Sequence, residues 1–556
     1  MAWLRRNSPV ALLGVALVAS SALLLWLGAD LTYFQDSWAF LVERRGFSAG
    51  DFLRPHNEHI SVVPVAIQKL LLALGFGMES DFGERVVLTA MLAAIAVLLF
   101  VYVRRRIGPW PALIAAVILL FLGPAWEVLL WPFEISLAGS VLCGLGALLL
   151  LERDDGRGDV AACVLLAIAI GFSSLGIPFV VAAAVDVLQQ RRERGWARAY
   201  VPGIPTLLFL GWYVAYGHDA ESAASLHSVL HAPIFVAEGL GASVASILGL
   251  RTLAGGIESQ QRPYLGLIAV GAILALVIYA VARRPDWASR LLRQPAPGLW
   301  PVLAATLTFW GLAGINDLPG RAPWASRYMH VGAIFVFLVL ANLLAGISLG
   351  KRVLLAAGGV AAVAIALNLV PLIEGRDRLE KETVLARADL AAIEIASRTV
   401  DSQLVLDTEL AGTPSLIDVE AGPYLAAVED HGSPAYTAAE LIAAPEAGRR
   451  QADVVLARAL PVSAQTRPGL RHRPGKRCVV GSGTLETPIL AGATTIQAAP
   501  GPPVPLGLRR FATTEYPVPL KTVPGGSTTR LSIPRDASSR PWRLEVKAAQ
   551  RVRVCR

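Results

Sequence analysis

Charge, cysteine and nucleotide-binding motifs are what this chain lacks. Only 17% of its 556 residues are charged, against 54% that are hydrophobic. Soluble globular chains carry roughly 25% charged residues, so the composition excludes an ordinary soluble protein. No P-loop, no GxGxxG after a strand and no GxSxG elbow stands in a convincing context, which sets aside nucleotide-driven transport. Cysteine is sparse, with 4 in all. Cys143 and Cys163 lie within apolar runs and read as small hydrophobes. Cys478 and Cys555 bracket the last polar segment, and two Cys outside the cytoplasm favour a disulfide.

What the chain does have is a series of long apolar runs, and its mean hydropathy is +0.54. The runs approach the ~20 residues that cross a bilayer as helix, and they predict about eleven spans. These lie at 9–29, 85–103, 109–124, 133–151, 160–175, 177–190, 203–217, 264–282, 299–315, 328–349 and 353–372. Alternate ends carry the basic residues: Arg5-Arg6, Arg104-Arg105-Arg106, Arg153 and Arg157, Arg191 to Arg198, Arg283 to Arg293, and Lys351-Arg352. Basic residues concentrate on the cytoplasmic side of membrane proteins. The net charge of +8 therefore reflects topology in a plasma membrane and not nucleic-acid binding. The N-terminus is expected inside and the C-terminal region outside. The first run continues through Leu23 to Trp26, too long for the core of a cleaved signal, so it reads as a retained span. Segment 230–250 is apolar but Gly-rich. It reads as a partly inserted or surface helix in a long outer loop, because counting it as a span would move the Arg283 cluster outside.

The expected fold is thus an α-helical polytopic membrane domain at 1–372, a helical and mixed region at 373–465, and a small β-sandwich-like domain at 466–556. In the tail, Glu374 to Arg398 continues the last span as a charged helix. Thr437 and Glu440 form a capping-box signal. From about 478 onward, short alternating runs between Gly/Pro turns read as strands. A Cys478–Cys555 bridge would tie the first of these to the last. Trp542, Tyr516 and Phe511 are the few aromatics that a sugar-stacking platform could use.

The outer loops hold the chemistry. Asp36, in Gln35-Asp36-Ser37-Trp38, lies just past the first span. It reads either as a general base or metal ligand, or as the cap of a helix over Ser37–Arg44. Arg54-Pro55-His56-Asn57-Glu58-His59 is dense in titratable groups. If helical from Pro55, it would put His56 and His59 on one face. It suits contacts to a sugar or phosphate. A divalent cation such as Mg or Mn is compatible with the residue types, but no zinc motif is matched. Residues 60–78 read as a helix lying on the outer leaflet. Trp126-Glu127 and Trp131-Pro132-Phe133-Glu134 form a second cluster, in which Glu134 heads into a span, where an acid is costly unless used or paired. Arg321, and Ser326-Arg327-Tyr328, stand at an outer boundary where topology does not require positive charge. A guanidinium pair there suits a phosphate, a lipid headgroup, or pairing with Asp36 or Glu134.

The first span, Gln35-Asp36-Ser37-Trp38, Arg54-Pro55-His56-Asn57-Glu58-His59, the surface helix after it and Ser326-Arg327-Tyr328 before a late span together resemble the GT-C class of membrane glycosyltransferases. The resemblance covers about residues 1–372. It implies a polyprenyl-phosphate-linked sugar donor, with Asp36 catalytic and Arg327 or Arg321 at the donor phosphate. His56, Glu58, His59, Glu134 and Tyr328 follow as substrate contacts. It also implies an acceptor in the cell envelope, whether glycan, lipid or protein. Many members carry paired acids in this loop; here Ser37 follows a single Asp36, so metal dependence is not implied. The tail is similar in arrangement to actinobacterial cell-wall glycosyltransferases. Two other readings stay open. One is a transporter or flippase, which predicts charges at mid-span. The other is a non-catalytic envelope scaffold.

Overall fold

The computed structural model describes residues 2–556 apart from 154, 221–223, 254–265, 273–274, 276–295, 297, 317–320, 407–414, 470–477, 514 and 516. Most of the expected span 264–282, the Arg283–Arg293 cluster and Tyr516 lie outside the described residues. The chain divides into two compact units. The first comprises Met1–Asp30, Gly46–Leu74 and Phe82–Arg378, and the second Leu31–Arg45, Gly75–Asp81 and Leu379–Arg556. The loop after the first span is therefore split, with Asp36 in one unit and His56–His59 in the other.

The first unit is a bundle of apolar helices, and the chain is a multi-pass membrane protein. Among the described residues, six helices are long and apolar enough to cross a membrane: Ser8–Leu27, Phe82–Ile107, Pro132–Leu151, Leu226–Ile247, Ser326–Leu343 and Lys351–Ala396. A seventh arises if Pro109–Leu120 and Gly123–Leu130, bent by 48° at their junction, count as one span. Tyr200–Ala215 and Leu299–Ile315 are apolar but shorter, at 16 and 17 residues. Fewer described helices thus meet the length criterion than the eleven apolar runs suggest, because Gly156–Phe172, Tyr200–Ala215 and Leu299–Ile315 have only 16 or 17 residues. Phe82–Ile107 packs on Pro109–Leu120 and Ile135–Leu151, and Ile135–Leu151 packs on Gly156–Phe172. Ile177–Arg194 lies along Leu299–Ile315. Large apolar side chains such as Val18, Leu207 and Val214 stay exposed on the outer faces of their helices, as a lipid solvent permits.

Segment 230–250 corrects the sequence reading. It lies in a 22-residue helix, Leu226–Ile247, that packs on Leu299–Ile315 and Ser326–Leu343. The glycines that argued against a span are what allow the packing. A Cβ at Gly239 would collide with the Trp310 ring, and Ser243 lies against Gly332. Small residues let helix backbones approach closely in lipid. The hydroxyls of Ser243 and Ser246 donate to the Gly239 and Ala242 carbonyls, at 2.9 and 2.8 Å, so the packed face carries no unsatisfied hydroxyl. His227 and His231 stand on the first turns of this helix and not in a loop.

The expected surface helix is present, shortened to Val62–Ala73. It buries its polar side: Gln68 donates to Glu84 at 3.2 Å, and Lys69 reaches the Gly46 carbonyl and the Phe47 and Phe52 rings. Leu70 and Leu74 are exposed. An apolar face turned away from the protein suits a helix lying on a bilayer.

In the second unit, two short strands, β1 (Val405–Leu406) and β2 (Val419–Glu420), pair antiparallel. The Thr437–Glu440 capping box forms as expected, with reciprocal bonds at the start of Ala438–Ala443. The charged pattern after the last span continues it within one helix, Lys351–Ala396. Beyond lie β3 (Ser463–Pro468), β4 (Cys478–Ile489), β5 (Gly492–Ala498), β6 (Val504–Arg509), β7 (Val518–Val523), β8 (Ser527–Ile533) and β9 (Trp542–Cys555). These form one seven-stranded antiparallel sheet in the order β3-β8-β5-β9-β6-β7, with β4 along the other side of β9. The strand pairing does not draw the two-sheet division expected from the sequence, because 14-residue β9 pairs with β6 through its first half and β5 through its last. Cys478 and Cys555 are directly paired in register and bonded. Closing a loop of this length is worth about 4 kcal/mol in the chain-entropy view. Trp542 and Phe511 are buried, with Arg510 over the Trp542 ring at 4.5 Å, so neither is free to stack on a sugar. Asp453 fixes the helix Glu446–Ala459 to the sheet region by accepting from the N–H groups of Arg510, Phe511 and Ala512.

Candidate functional site

His56 to His59 does not form a helix. Asn57 has φ +50°, and the backbones of His56 and His59 exchange two hydrogen bonds at 2.9 Å. Asn tolerates this left-handed conformation better than most residues. The result is a tight hairpin turn, and directly paired antiparallel residues project to one side. The two histidines therefore share a face for a reason other than helical spacing.

This turn gathers three distant parts of the first unit. The His56 ring lies 5.3 Å from Phe133, which stacks on Trp131 at 5.2 Å. Ser174 donates to the Glu58 carbonyl at 3.2 Å. Arg321 grips the Glu58 carboxylate with both terminal nitrogens, the second at 2.9 Å. The imidazole of His59 lies 3.4 Å from the same carboxylate. Burial works against a charged Glu58, but His59 and Arg321 outweigh it and hold its carboxyl at about 2. Burial likewise opposes the charge on Arg321, and Glu58 more than restores it.

A second clamp lies beside the first. The Glu127 N–H donates to the Ser326 hydroxyl at 3.0 Å, and the Glu127 carboxylate accepts from the Arg327 N–H at 3.1 Å. The Arg327 guanidinium stands 3.5 Å from the same carboxylate. An acid at a helix N-terminus is favourable, and here it fixes the start of Ser326–Leu343. Arg321 is within electrostatic reach of Tyr328 and Arg327. The two arginines thus pair with Glu58 and Glu127. Glu134 is buried at the turn into Ile135–Leu151. Tyr328 is buried with its ring edge-on to Phe235, Phe309 and Trp310, which makes it a wall more than a surface contact.

Sequence reasoning named Glu127 in the second cluster without a role and did not name Arg251. Arg251 follows the helix Leu226–Ile247 and donates to the Trp324 carbonyl at 2.8 Å, within the segment carrying Arg321 and Arg327. Burial alone pushes it down to about 10, and no carboxylate among the described residues lies against it. An isolated arginine after an apolar run gives no signal in sequence; its meaning comes from the loop it touches.

Asp36 belongs to the second unit. Gln35 has φ +42°, and the chain then winds helically over 37–43, close to the expected helix, with its last five residues, Ala39–Glu43, in a π-turn. The Trp38 N–H goes to the Gln35 carbonyl at 3.0 Å. Asp36 is half-buried. Among the described residues, no three His, Cys, Asp or Glu side chains gather closely enough to hold a metal ion. Asp186, on Ile177–Arg194, is held by Arg198 at 3.2 Å and Gln190 at 3.1 Å.

No protein-family model and no curated protein sequence matches the chain. Among solved structures it is similar to ArnT from Cupriavidus metallidurans bound to undecaprenyl phosphate. The TM-score is 0.45 and the identity 13%, over 72% of this chain and 82% of that one. It is also similar to the arabinosyltransferase EmbB from Mycobacterium smegmatis, with a TM-score of 0.30 and 12% identity, over 98% of this chain and 64% of that one.

Proposed function

We propose that the chain is a GT-C-class membrane glycosyltransferase that moves a sugar from a polyprenyl-phosphate donor to an acceptor outside the cytoplasm. The observation that carries this reading is the arginine cluster. Arg321, Arg327 and Arg251 come to one short segment, with Glu58 and Glu127 ordering the first two. Guanidinia are suited to phosphate oxygens, and a leaving phosphate needs its charge stabilised where it develops.

In this reading the acceptor hydroxyl oxygen bonds to the anomeric carbon while Asp36 accepts its proton. The bond from that carbon to the phosphate oxygen breaks, and polyprenyl phosphate leaves with its charge held by the arginines. A single displacement inverts the anomeric centre. His56, Glu58 and His59 shape the sugar end of the site, and Glu134 and Tyr328 support it. The N-terminus is cytoplasmic, and the tail lies outside.

The test uses the full chain in lipid nanodiscs with an undecaprenyl-phosphate-linked sugar. Asp36→Asn is expected to lower transfer by about 10²–10⁴-fold, the usual worth of general acid–base catalysis, with undecaprenyl-phosphate binding retained. Full activity in that variant would sink the assignment.

A further inference from the structure

His227 and His231 have no part in the transfer site. They stand one turn apart at the start of the helix Leu226–Ile247, and both are exposed. A helix sets residues i and i+4 on one face. Their rings come to 4.0 Å between centroids, inclined by 32°. An imidazole nitrogen lies about 2.0–2.1 Å from a bound zinc, so one ion bridges two such donors up to about 4 Å apart. The HExxH motif draws two zinc ligands from the same spacing. Here Ser228 stands where that motif has its general base, so the spacing carries ligation without the peptidase chemistry.

The tautomer of His231 is set for the same purpose. Its Nδ1 lies 3.1 Å from the His227 carbonyl. A carbonyl oxygen only accepts, so this bond keeps the proton on Nδ1 and the lone pair on Nε2. Metal-ligating histidines almost always give their other ring N–H to a carbonyl, a carboxylate or water, which orients the ring. In His231 the helix backbone supplies that partner.

The helix itself has a use for a clamp at this point. Phe235, one turn further on, packs on Tyr328 at 6.4 Å between ring centroids and against Gly314. Most of the helix from Gly239 onward is buried. Before Phe235, Leu226, Val229, Leu230 and Ile234 are exposed. Pro233 lies between the two stretches and has no N–H for the Val229 carbonyl. The first turns thus show mostly exposed side chains and lack one bond of the helical ladder. An ion held by residues 227 and 231 cross-links them.

We propose that His227 and His231 chelate one divalent transition-metal ion and that this ion clamps the first turns of Leu226–Ile247. Imidazole suits copper, nickel and zinc, with copper the tightest at a given site, whereas magnesium and calcium take oxygen ligands. No third His, Cys, Asp or Glu side chain joins the pair among the described residues, so water completes the coordination. The site stands whether or not the chain is a transferase.

The experiment is electron paramagnetic resonance of Cu²⁺, added at one equivalent to the full chain in nanodiscs and purified on a tag without histidine. The wild-type spectrum should carry the coupling of two imidazole nitrogens. His227→Gln and His231→Gln should each reduce it to one. Losing a ligand costs at least what losing its outer-shell partner does, so each should also weaken Cu²⁺ by about tenfold or more. Both positions are exposed, where a substitution seldom disturbs a fold. His218→Gln, outside this helix, should leave spectrum and affinity unchanged. In hydrogen exchange, Zn²⁺ should slow the amides across residues 226–236 in the wild type and not in His231→Gln. One nitrogen or none in the wild type overturns the site. Two nitrogens retained in both helix variants, or lost in His218→Gln, place the ion elsewhere and overturn it as well. Exchange that Zn²⁺ leaves unaltered overturns the clamp.

Discussion

The two ends of the helical bundle in the first unit both use arginine–carboxylate pairs, but in different ways. At one end Arg198 spends its guanidinium on Asp159, with bonds of 2.7 to 3.0 Å, and on Asp186 and Gln190. At the same end Arg106 bonds Glu152 at 2.6 Å and Asn342 at 3.0 Å, and its guanidinium lies 3.5 Å above the Tyr102 ring. These groups join helix ends around a cavity of about 1030 Å³. At the other end the pairs join turns and helix starts. Glu58–Arg321 and Glu127–Arg327 are half-buried, and Arg251 beside them has no carboxylate among the described residues. The saturated pairs act as fasteners. The loop pairs leave positive charge over, and surplus buried charge suits a binding site better than a joint.

The sharpest break of this contrast is Arg198→Ala. Removing one partner from a buried charge network strands the other, at a cost of about 3–5 kcal/mol. Asp159 and Arg198 are both almost fully buried. Thermal unfolding in detergent should therefore shift strongly downward, while undecaprenyl-phosphate binding by the folded fraction stays at the wild-type level. Stability that is unmoved, or lipid-phosphate binding that falls in step, would mean the two ends are not divided by role.

That division was only half legible in the sequence. The apolar runs and the Arg5-to-Lys351 charge register announce a multi-pass membrane protein, because span length and lipid solvation leave few alternatives. The strands at 479, 494, 529 and 542 were marked by alternation between Pro/Gly turns. The Gly-rich helix Leu226–Ile247 was misread because hydropathy scores composition and is blind to which face packs. The His56–His59 hairpin was misread because i,i+3 spacing fits a helix and a tight turn equally, and Asn57 at positive φ decides between them. Glu58 was visible as a polar residue, but its partner Arg321 lies 263 residues away, a separation that no local pattern encodes. The site was legible as residue types, and its pairings were not.

Glu58→Gln tests the loop end directly. The folded carboxyl is held at about 2, against an ordinary value of 4.5. A depressed carboxylate stabilises above the unfolded value, and the contribution fades as pH falls from about 4.5 through 2. At about 1.36 kcal/mol per unit, the pair is worth on the order of 3 kcal/mol at neutral pH, less whatever solvent screens at this partly open position. The difference in unfolding temperature between wild type and Glu58→Gln should be widest at pH 6–7 and close as the pH approaches 2–3. A difference independent of pH would show that packing, and not charge, holds the turn to Arg321.

Arg251→Met separates surplus charge from structure by the smallest margin. The substitution keeps an unbranched chain of similar reach but removes the charge and the bond to the Trp324 carbonyl. Losing that bond costs about 1 kcal/mol. Removing a buried cation that has no counter-ion among the described residues returns a similar amount, since such a charge is costly to keep. Stability should therefore move by less than about 1 kcal/mol. A charge-assisted bond to a phosphate is worth about 1.5–3 kcal/mol, so undecaprenyl-phosphate affinity should fall roughly tenfold or more. Arg198→Ala predicts the opposite pattern, with stability lost and binding kept. If Arg251→Met also destabilises the fold and leaves lipid-phosphate affinity alone, Arg251 is a fastener like Arg198, and the contrast between the two ends fails at the residue that defines it most clearly.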